Sequence, residues 1–156
     1  MVMLKTLPSD FAIDKYGLHA RLVCEDDAGF IIKLRTNPKV GNFIHKTDTD
    51  VDLQKEWIRR YKQREAVGRD YYFIHFYQGE PVGVNRLYDI DGENFNHGSW
   101  VFKSEVPSFC SIAAVIIAME IAFYELDLNI NMVIQFVFHH KLDAKWDANS
   151  AHQQNK

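Results

Sequence analysis

Residues 98–129, GSWVFKSEVPSFCSIAAVIIAMEIAFYELDLN, constrain the fold more than any other stretch, because the pattern changes period partway along. Residues 98–102 alternate with the period of two expected of a strand, whereas the apolar residues from Ser111 onward follow a helix that stops at Asn129. Pro107 sits in the hinge between them. A strand that breaks and feeds a helix presents backbone N–H groups to an anion, so the hinge is a candidate binding element. The greasy run 112–124 is interrupted by Glu120 and is well short of the roughly 20 residues that cross a bilayer. It reads as a buried helix, and no membrane partner is expected.

The rest of the chain supplies what packs around that unit. YGLHARLV (16–23) alternates as a first strand. EDDAGFIIKLRTNPKV then gives an acidic helix start, an apolar face of Phe30, Ile31 and Leu34, and a stop at Pro38. Thr49 or Asp50 can cap a second helix in which Leu53, Trp57 and Tyr61 recur every four residues and Ile58 widens the stripe. Residues 71–77, 81–89 and 94–102, joined by turns at Gln78-Gly79-Glu80 and Asp91-Gly92, read as an antiparallel meander, and 132–138 as a last strand. The order β-α-α-β-β-β-α-β defines a mixed α/β (α+β) fold, a mostly antiparallel sheet flanked by helices. No repeat, low-complexity tract or linker divides residues 1–156, so one domain is expected.

Composition narrows the function. At 47% hydrophobic and 25% charged the chain is ordinary globular material, and a net charge of −3 leaves no electrostatic footprint for nucleic acid. Cys24 and Cys110 form no C-x-x-C pair, which speaks against a disulfide framework or zinc knuckle and for a reducing, cytoplasmic setting. The start, MVMLKTLPSDF, lacks a signal-peptide core. His139 and His140, adjacent after a strand, point to opposite sides, and no metal site is expected.

That element order, together with YGLHARLVCEDDAGFIIKLRTNPKV, DLQKEWIRRYKQRE, YYFIHFYQGEPVGVNRLYDID, HGSWVF and AMEIAFYELDLN, resembles the GNAT acyltransferase superfamily over residues 16–138, and within it the branch of the ribosomal-protein N-acetyltransferases. The resemblance implies acetyl-CoA as cosubstrate, with the pantetheine arm between the fourth strand (95–102) and the fifth (132–138) and the diphosphate on the hinge. The family's hinge is basic and glycine-rich, Gln/Arg-x-x-Gly-x-Gly/Ala. Here it runs from Lys103 to Ser111 with no glycine, and Glu105 opposes an anion. Two readings stay open. The N–H groups of Phe109, Cys110, Ser111 and Ile112, helped by Lys103 and the Ser108 and Ser111 hydroxyls, hold the diphosphate, or Ser108 or Ser111 simply caps a helix. Relatives continue past the fifth strand into a helix with an Asn, a place Asn149 could take. A C-terminal end that is short by the family's measure would leave a sheet edge for a second subunit, hence a homodimer.

Acetyl transfer needs a neutral amine, a polarised thioester carbonyl and a proton for the departing thiolate. Backbone N–H groups at Trp100, Val101 and Phe102 could polarise the carbonyl. His97 is either a general base or a half-exposed strand histidine, and Tyr88 either a proton donor or core packing. Asn85 and Arg86 alternate faces, so only one can meet the acceptor; Arg86 could instead pair with Asp89 or Asp91. Cys110 is a nucleophile or, as direct transfer requires, a small buried hydrophobe. Trp57 and Tyr61 read as helix-to-sheet packing, which leaves Phe43 and Ile44 of the loop GNFIHKTDTD as acceptor contacts. The acceptor is an amine of a small molecule such as an amino sugar, or of a peptide N-terminus. The competing reading is a non-catalytic module of the same fold that binds CoA or a protein partner without turnover.

Overall fold

The computed structural model describes residues 3–40 and 49–128 and the backbone of residues 131–134. The elements are β1 (Ala12–Lys15), β2 (Leu18–Leu22), a 3-10 turn (Glu25–Asp27), α1 (Ala28–Arg35), α2 (Val51–Ala66), β3 (Asp70–Tyr77), β4 (Glu80–Tyr88), β5 (Asn94–Phe102), α3 (Phe109–Glu120), a π-helical turn (Ile121–Glu125) and β6 (Asn131–Ile134). The strands form one sheet in sequence order, antiparallel from β1 to β5, with β6 parallel to β5. This is the expected architecture with one strand added at the front. The leading strand escapes the sequence reading because Tyr16 and Gly17, read as strand, are a two-residue turn with φ of 54° and 76°. Such a turn suits a tight hairpin but strains a tyrosine. The Tyr16 hydroxyl, donating to Glu120 at 2.6 Å, and Lys15, paired with the same carboxylate at 2.9 Å, tie the turn to α3.

β3 is buried along most of its length because both faces of the sheet are covered. On one face Leu18, Ala20, Leu22, Phe73, Leu87 and Phe95 meet α3. On the other, Val23, Tyr72, Ile74, Val84 and Val101 meet α1 and α2. Asp50, not Thr49, caps α2, its carboxylate accepting from the N–H groups of Asp52 (2.8 Å) and Leu53 (3.3 Å). The buried stripe of α2 is Ile58, Tyr61 and Glu65, with Trp57 half-buried, whereas Leu53 is 54% exposed. Leu53 belongs to the first turn, beside the cap and beyond the sheet's cover.

The buried face of α3 is rich in alanine, at positions 113, 114 and 118, and Ala122 of the π-helical turn continues it, so the backbone approaches the sheet closely. Gly83 of β4 serves the same end. The Phe102 ring lies across it, and a Cβ at Gly83 would sit 2.3 Å from the ring. We therefore predict that Gly83→Ala lowers stability by about 1–3 kcal/mol in urea denaturation. Adding Phe102→Leu should recover part of the loss, so that the two substitutions are non-additive.

Candidate functional site

The site is built where β5 departs from regular pairing. β4 and β5 are in register at Val84↔Val101 and again at Arg86↔Gly98, so Asn85 alone faces both Ser99 and Trp100. Ser99 takes up the extra residue with φ 47°. On its other side β5 pairs with β6 from Asn94↔Asn131 to His97↔Ile134, the last pair among the described residues. The bulge thus falls just beyond that pairing. It turns Trp100 toward α3, where its indole N–H donates to the Ser111 carbonyl at 3.1 Å.

β5 leads through the hinge to α3, whose start differs from that of α2. No side chain caps it and no acidic residue lies in its first turn, whereas α2 carries the Asp50 cap and Asp52. The positive end of the α3 dipole is therefore not neutralised by its own side chains. Several of the expected donors have partners within the chain. The Cys110 N–H donates to the Pro107 carbonyl (3.0 Å), and the Ser111 hydroxyl to the Ser108 carbonyl (3.0 Å). The Lys103 N–H donates to the Val82 carbonyl (2.8 Å), and its ammonium lies 5.5 Å over the Phe30 ring, on the α1 side. Phe109 packs edge-on against Tyr77, and Ile112 is 58% exposed. The Cys110 thiol is in the core, and burial pushes its pKa up, against a thiolate nucleophile.

Beneath α3 lies a row of buried polar side chains. His75 of β3 donates from Nε2 to Asn85 Oδ1 at 2.7 Å; Asn85 Nδ2 donates to the Ala114 carbonyl at 2.9 Å and to His97 Nε2 at 3.2 Å. A backbone carbonyl can only accept, so the Ala114 bond orients the amide, and the amide in turn dictates both imidazole tautomers. Both rings are neutral in this arrangement, and burial brings each histidine's pKa down to about 4. His97 is only 2% exposed, because α3 covers that face; it is not the half-exposed strand histidine expected of the sequence. His75 was not singled out in the sequence, and its Nδ1 has no hydrogen-bond partner among the described residues.

Arg86 and Tyr88 stand on the opposite face. Arg86 pairs neither with Asp89 nor with Asp91 but with Asp70, through Nε at 2.7 Å and through Nη2, and Arg64 adds a bond at 2.9 Å. Its guanidinium lies between the rings of Trp57 (5.2 Å) and Tyr88 (4.8 Å). The Tyr88 ring crosses Gly98, where a Cβ would meet it at 3.0 Å and its hydroxyl at 3.1 Å, beside the bulge. Tyr88 and His97 therefore cannot both reach one amine. Trp57 stacks on Tyr61 with centroids 5.9 Å apart, and both pack edge-on against Tyr72. Phe43, Ile44, Asn149, His139, His140 and the end of the last expected strand lie outside the described residues. A recess of about 780 Å³ beside the Tyr16-Gly17 turn is lined by Asp14, His19, Arg21, Phe76 and Gln78, and the Arg21 guanidinium in it is bound by Asp27. Among the described residues no group of three or more His, Cys, Asp or Glu is placed to hold a metal ion, and no helix is long and apolar enough to cross a membrane.

A sheet whose bulged strand runs into the start of α3, with helices on both faces, is the arrangement to be compared with known folds. The family model for the acetyltransferase (GNAT) domain matches residues 18–142. The chain belongs to the GNAT acetyltransferase family and is an enzyme of that family. Among solved structures, the apo form of FdhC, a nucleotide-linked sugar GNAT, is 36% identical, with 74% of this chain and 67% of that one covered and a TM-score of 0.65. Two others share the fold at lower identity. The ribosomal-protein-S5-alanine acetyltransferase of Vibrio fischeri is 14% identical over 73% of this chain and 68% of its own (TM-score 0.63). RimL, a ribosomal L7/L12 α-N-protein acetyltransferase in complex with coenzyme A, is 16% identical over 74% and 71% (TM-score 0.58). No curated protein matches significantly.

The buried histidines generate a pH prediction. Their folded pKa of about 4 lies below the ordinary histidine value of 6.5, so the unfolded chain binds more protons between these values. Their stabilising contribution is complete above about pH 6.5 and is lost as pH falls toward 4. The urea midpoint should drop between pH 7 and pH 5 by an amount equivalent to a few kcal/mol. His97→Gln and His75→Gln should each flatten that dependence, and a parent midpoint that ignores pH would overturn the assignment.

Proposed function

We propose that this enzyme is an acetyl-CoA-dependent N-acetyltransferase that passes the acetyl group directly to the primary amine of an amino sugar carried on a nucleotide. The observation that carries the acceptor class is the 36% identity, over 74% of the chain, to a nucleotide-linked sugar GNAT, against 14% and 16% for the ribosomal-protein enzymes. The uncapped start of α3 supports the cosubstrate, since an anion there meets a helix dipole with no competing side-chain cap.

In this reading the β5 backbone at Trp100, Val101 and Phe102 lies along the pantetheine arm, and the turn from Ser108 to Ile112 faces the diphosphate. Main-chain shape and dipole, more than the engaged Lys103 and Ser111 side chains, provide the attraction. The acceptor amine loses its proton, its lone pair attacks the thioester carbon, and the C–S bond breaks as the thiolate takes up a proton. Tyr88, whose hydroxyl lies beside the bulge, is the proton donor. His97, sealed beneath α3, serves the site from within the core. The acceptor enters on the Tyr88 side, and Asp70 holds Arg86 there as the cation toward which a phosphorylated acceptor is drawn. The reading includes a cytoplasmic setting, consistent with the free thiols of Cys24 and Cys110, and a homodimer.

Acetyl-CoA at about 100 times its dissociation constant should stabilise the protein by about 2.7 kcal/mol in thermal melting. Release of CoA thiol should follow addition of a nucleotide-linked amino sugar and not of a peptide bearing a free N-terminus. Turnover of the peptide alone would reassign the acceptor, and unmoved melting with acetyl-CoA would sink the cosubstrate.

Cys110→Ala tests direct transfer separately. Because the thiol is buried, turnover should stay within about tenfold of the parent. A loss of several orders of magnitude in a folded variant would revive an acyl-cysteine intermediate.

A further inference from the structure

We propose that Asn85, together with Trp100, is a positioning residue that registers the start of α3 against the β5 bulge and so fixes the two halves of the cosubstrate site relative to each other. This rests on the reading of that site given above. Asn85 is the single β4 residue opposite the bulge, and its amide donates to the Ala114 carbonyl at 2.9 Å; Trp100, in the bulge, donates to the Ser111 carbonyl at 3.1 Å. The two carbonyls lie three residues apart, close to one helical turn, so a pair of sheet donors grips one side of the helix just past its start. Each carbonyl has a second lone pair, and the helix's own hydrogen bonds are not displaced.

Apolar packing sets this register only loosely, because Ile117 is the one large side chain among the buried residues of α3, the others being Cys110 and the alanines at 113, 114 and 118, whereas hydrogen bonds are directional. Asn85 is itself held from both ends, by His75 Nε2 on its oxygen and His97 Nε2 on its nitrogen, all three side chains being at most 2% exposed. Three buried polar side chains add little to stability over a well-packed apolar core. What they add here is a fixed amide orientation. The network thus accounts for His75 and His97 without requiring either to touch substrate.

The test uses Asn85→Leu, near in shape but without the amide, and Trp100→Phe, which removes the indole N–H and keeps an aromatic ring. Hydrogen exchange on the ligand-free protein reads the anchoring, and calorimetric titration with CoA reads its consequence. In each variant exchange at residues 109–114 should rise about tenfold or more while residues 58–61 of α2 stay unchanged, and the CoA dissociation constant should rise about tenfold. Should Asn85→Leu fail to fold, Trp100→Phe decides alone. Faster exchange with unaltered CoA affinity, or unaltered exchange, overturns the positioning role while leaving the transferase intact. Absence of CoA binding by the parent sinks the transferase reading itself, and the proposal with it.

Discussion

One residue of β4 faces two of β5, and that mismatch organises the molecule. Had β5 continued in register past Gly98, Ser99 and Trp100 would each have had a β4 partner of its own. Instead Ser99 absorbs a residue at φ 47°, Trp100 is turned toward α3, and regular pairing resumes only at Val101. From there Val101 enters the core beneath α1 and α2, Phe102 crosses Gly83 beneath α3, and Lys103 points toward Phe30. The hinge and the start of α3 follow from where β5 has been left. A bulge is a common way to re-aim side chains, and here it re-aims Trp100.

The two faces of the sheet deal with buried polarity in opposite ways. Under α3 the polar groups are neutral, since His97 accepts from the Asn85 amide and so is uncharged, and burial brings the His75 pKa down to about 4. Beneath α2 they are charged and matched. Asp70 binds Arg86 and Arg64, Glu65 accepts from Tyr61 and Lys62, and the Tyr61 hydroxyl accepts the Tyr72 N–H at 2.9 Å. Removing one partner from a buried ion pair of this kind costs about 3–5 kcal/mol, so the charged face is fixed in composition as well as shape. A chemical division results, with an uncharged layer supporting α3 and, on the other face, an ion-paired Arg86 packed against Trp57 and Tyr88.

Much of the fold was legible because periodicity is local. The meander, both helix starts and the strand-to-helix switch follow from side-chain spacing over a few residues, and α3 begins at Phe109, two residues before Ser111. β1 was not legible: its four residues are at most half-buried, and the Tyr16-Gly17 turn looks like alternation until its φ angles are known. The candidate site was legible only in outline. The resemblance located the hinge and β5, but the donors assigned to the anion were named from their types, and a residue type does not reveal whether its hydrogen bond is already made.

Apart from β1, the sequence by itself determined which segments are strands and which are helices, their order, and the pairing of β3, β4 and β5, because each depends on neighbours in the chain and on short turns. Tertiary structure decided the partners. Arg86 binds Asp70 across the β3–β4 pair instead of the Asp89 or Asp91 nearer in the chain, and the Cys110 N–H donates to the Pro107 carbonyl. His75 gains its place through Asn85, a residue on another strand whose amide is oriented by a helix carbonyl 29 positions further along. Such choices turn on which groups meet after the sheet has twisted, bulged and been covered by helices, and no spacing along the chain encodes that meeting.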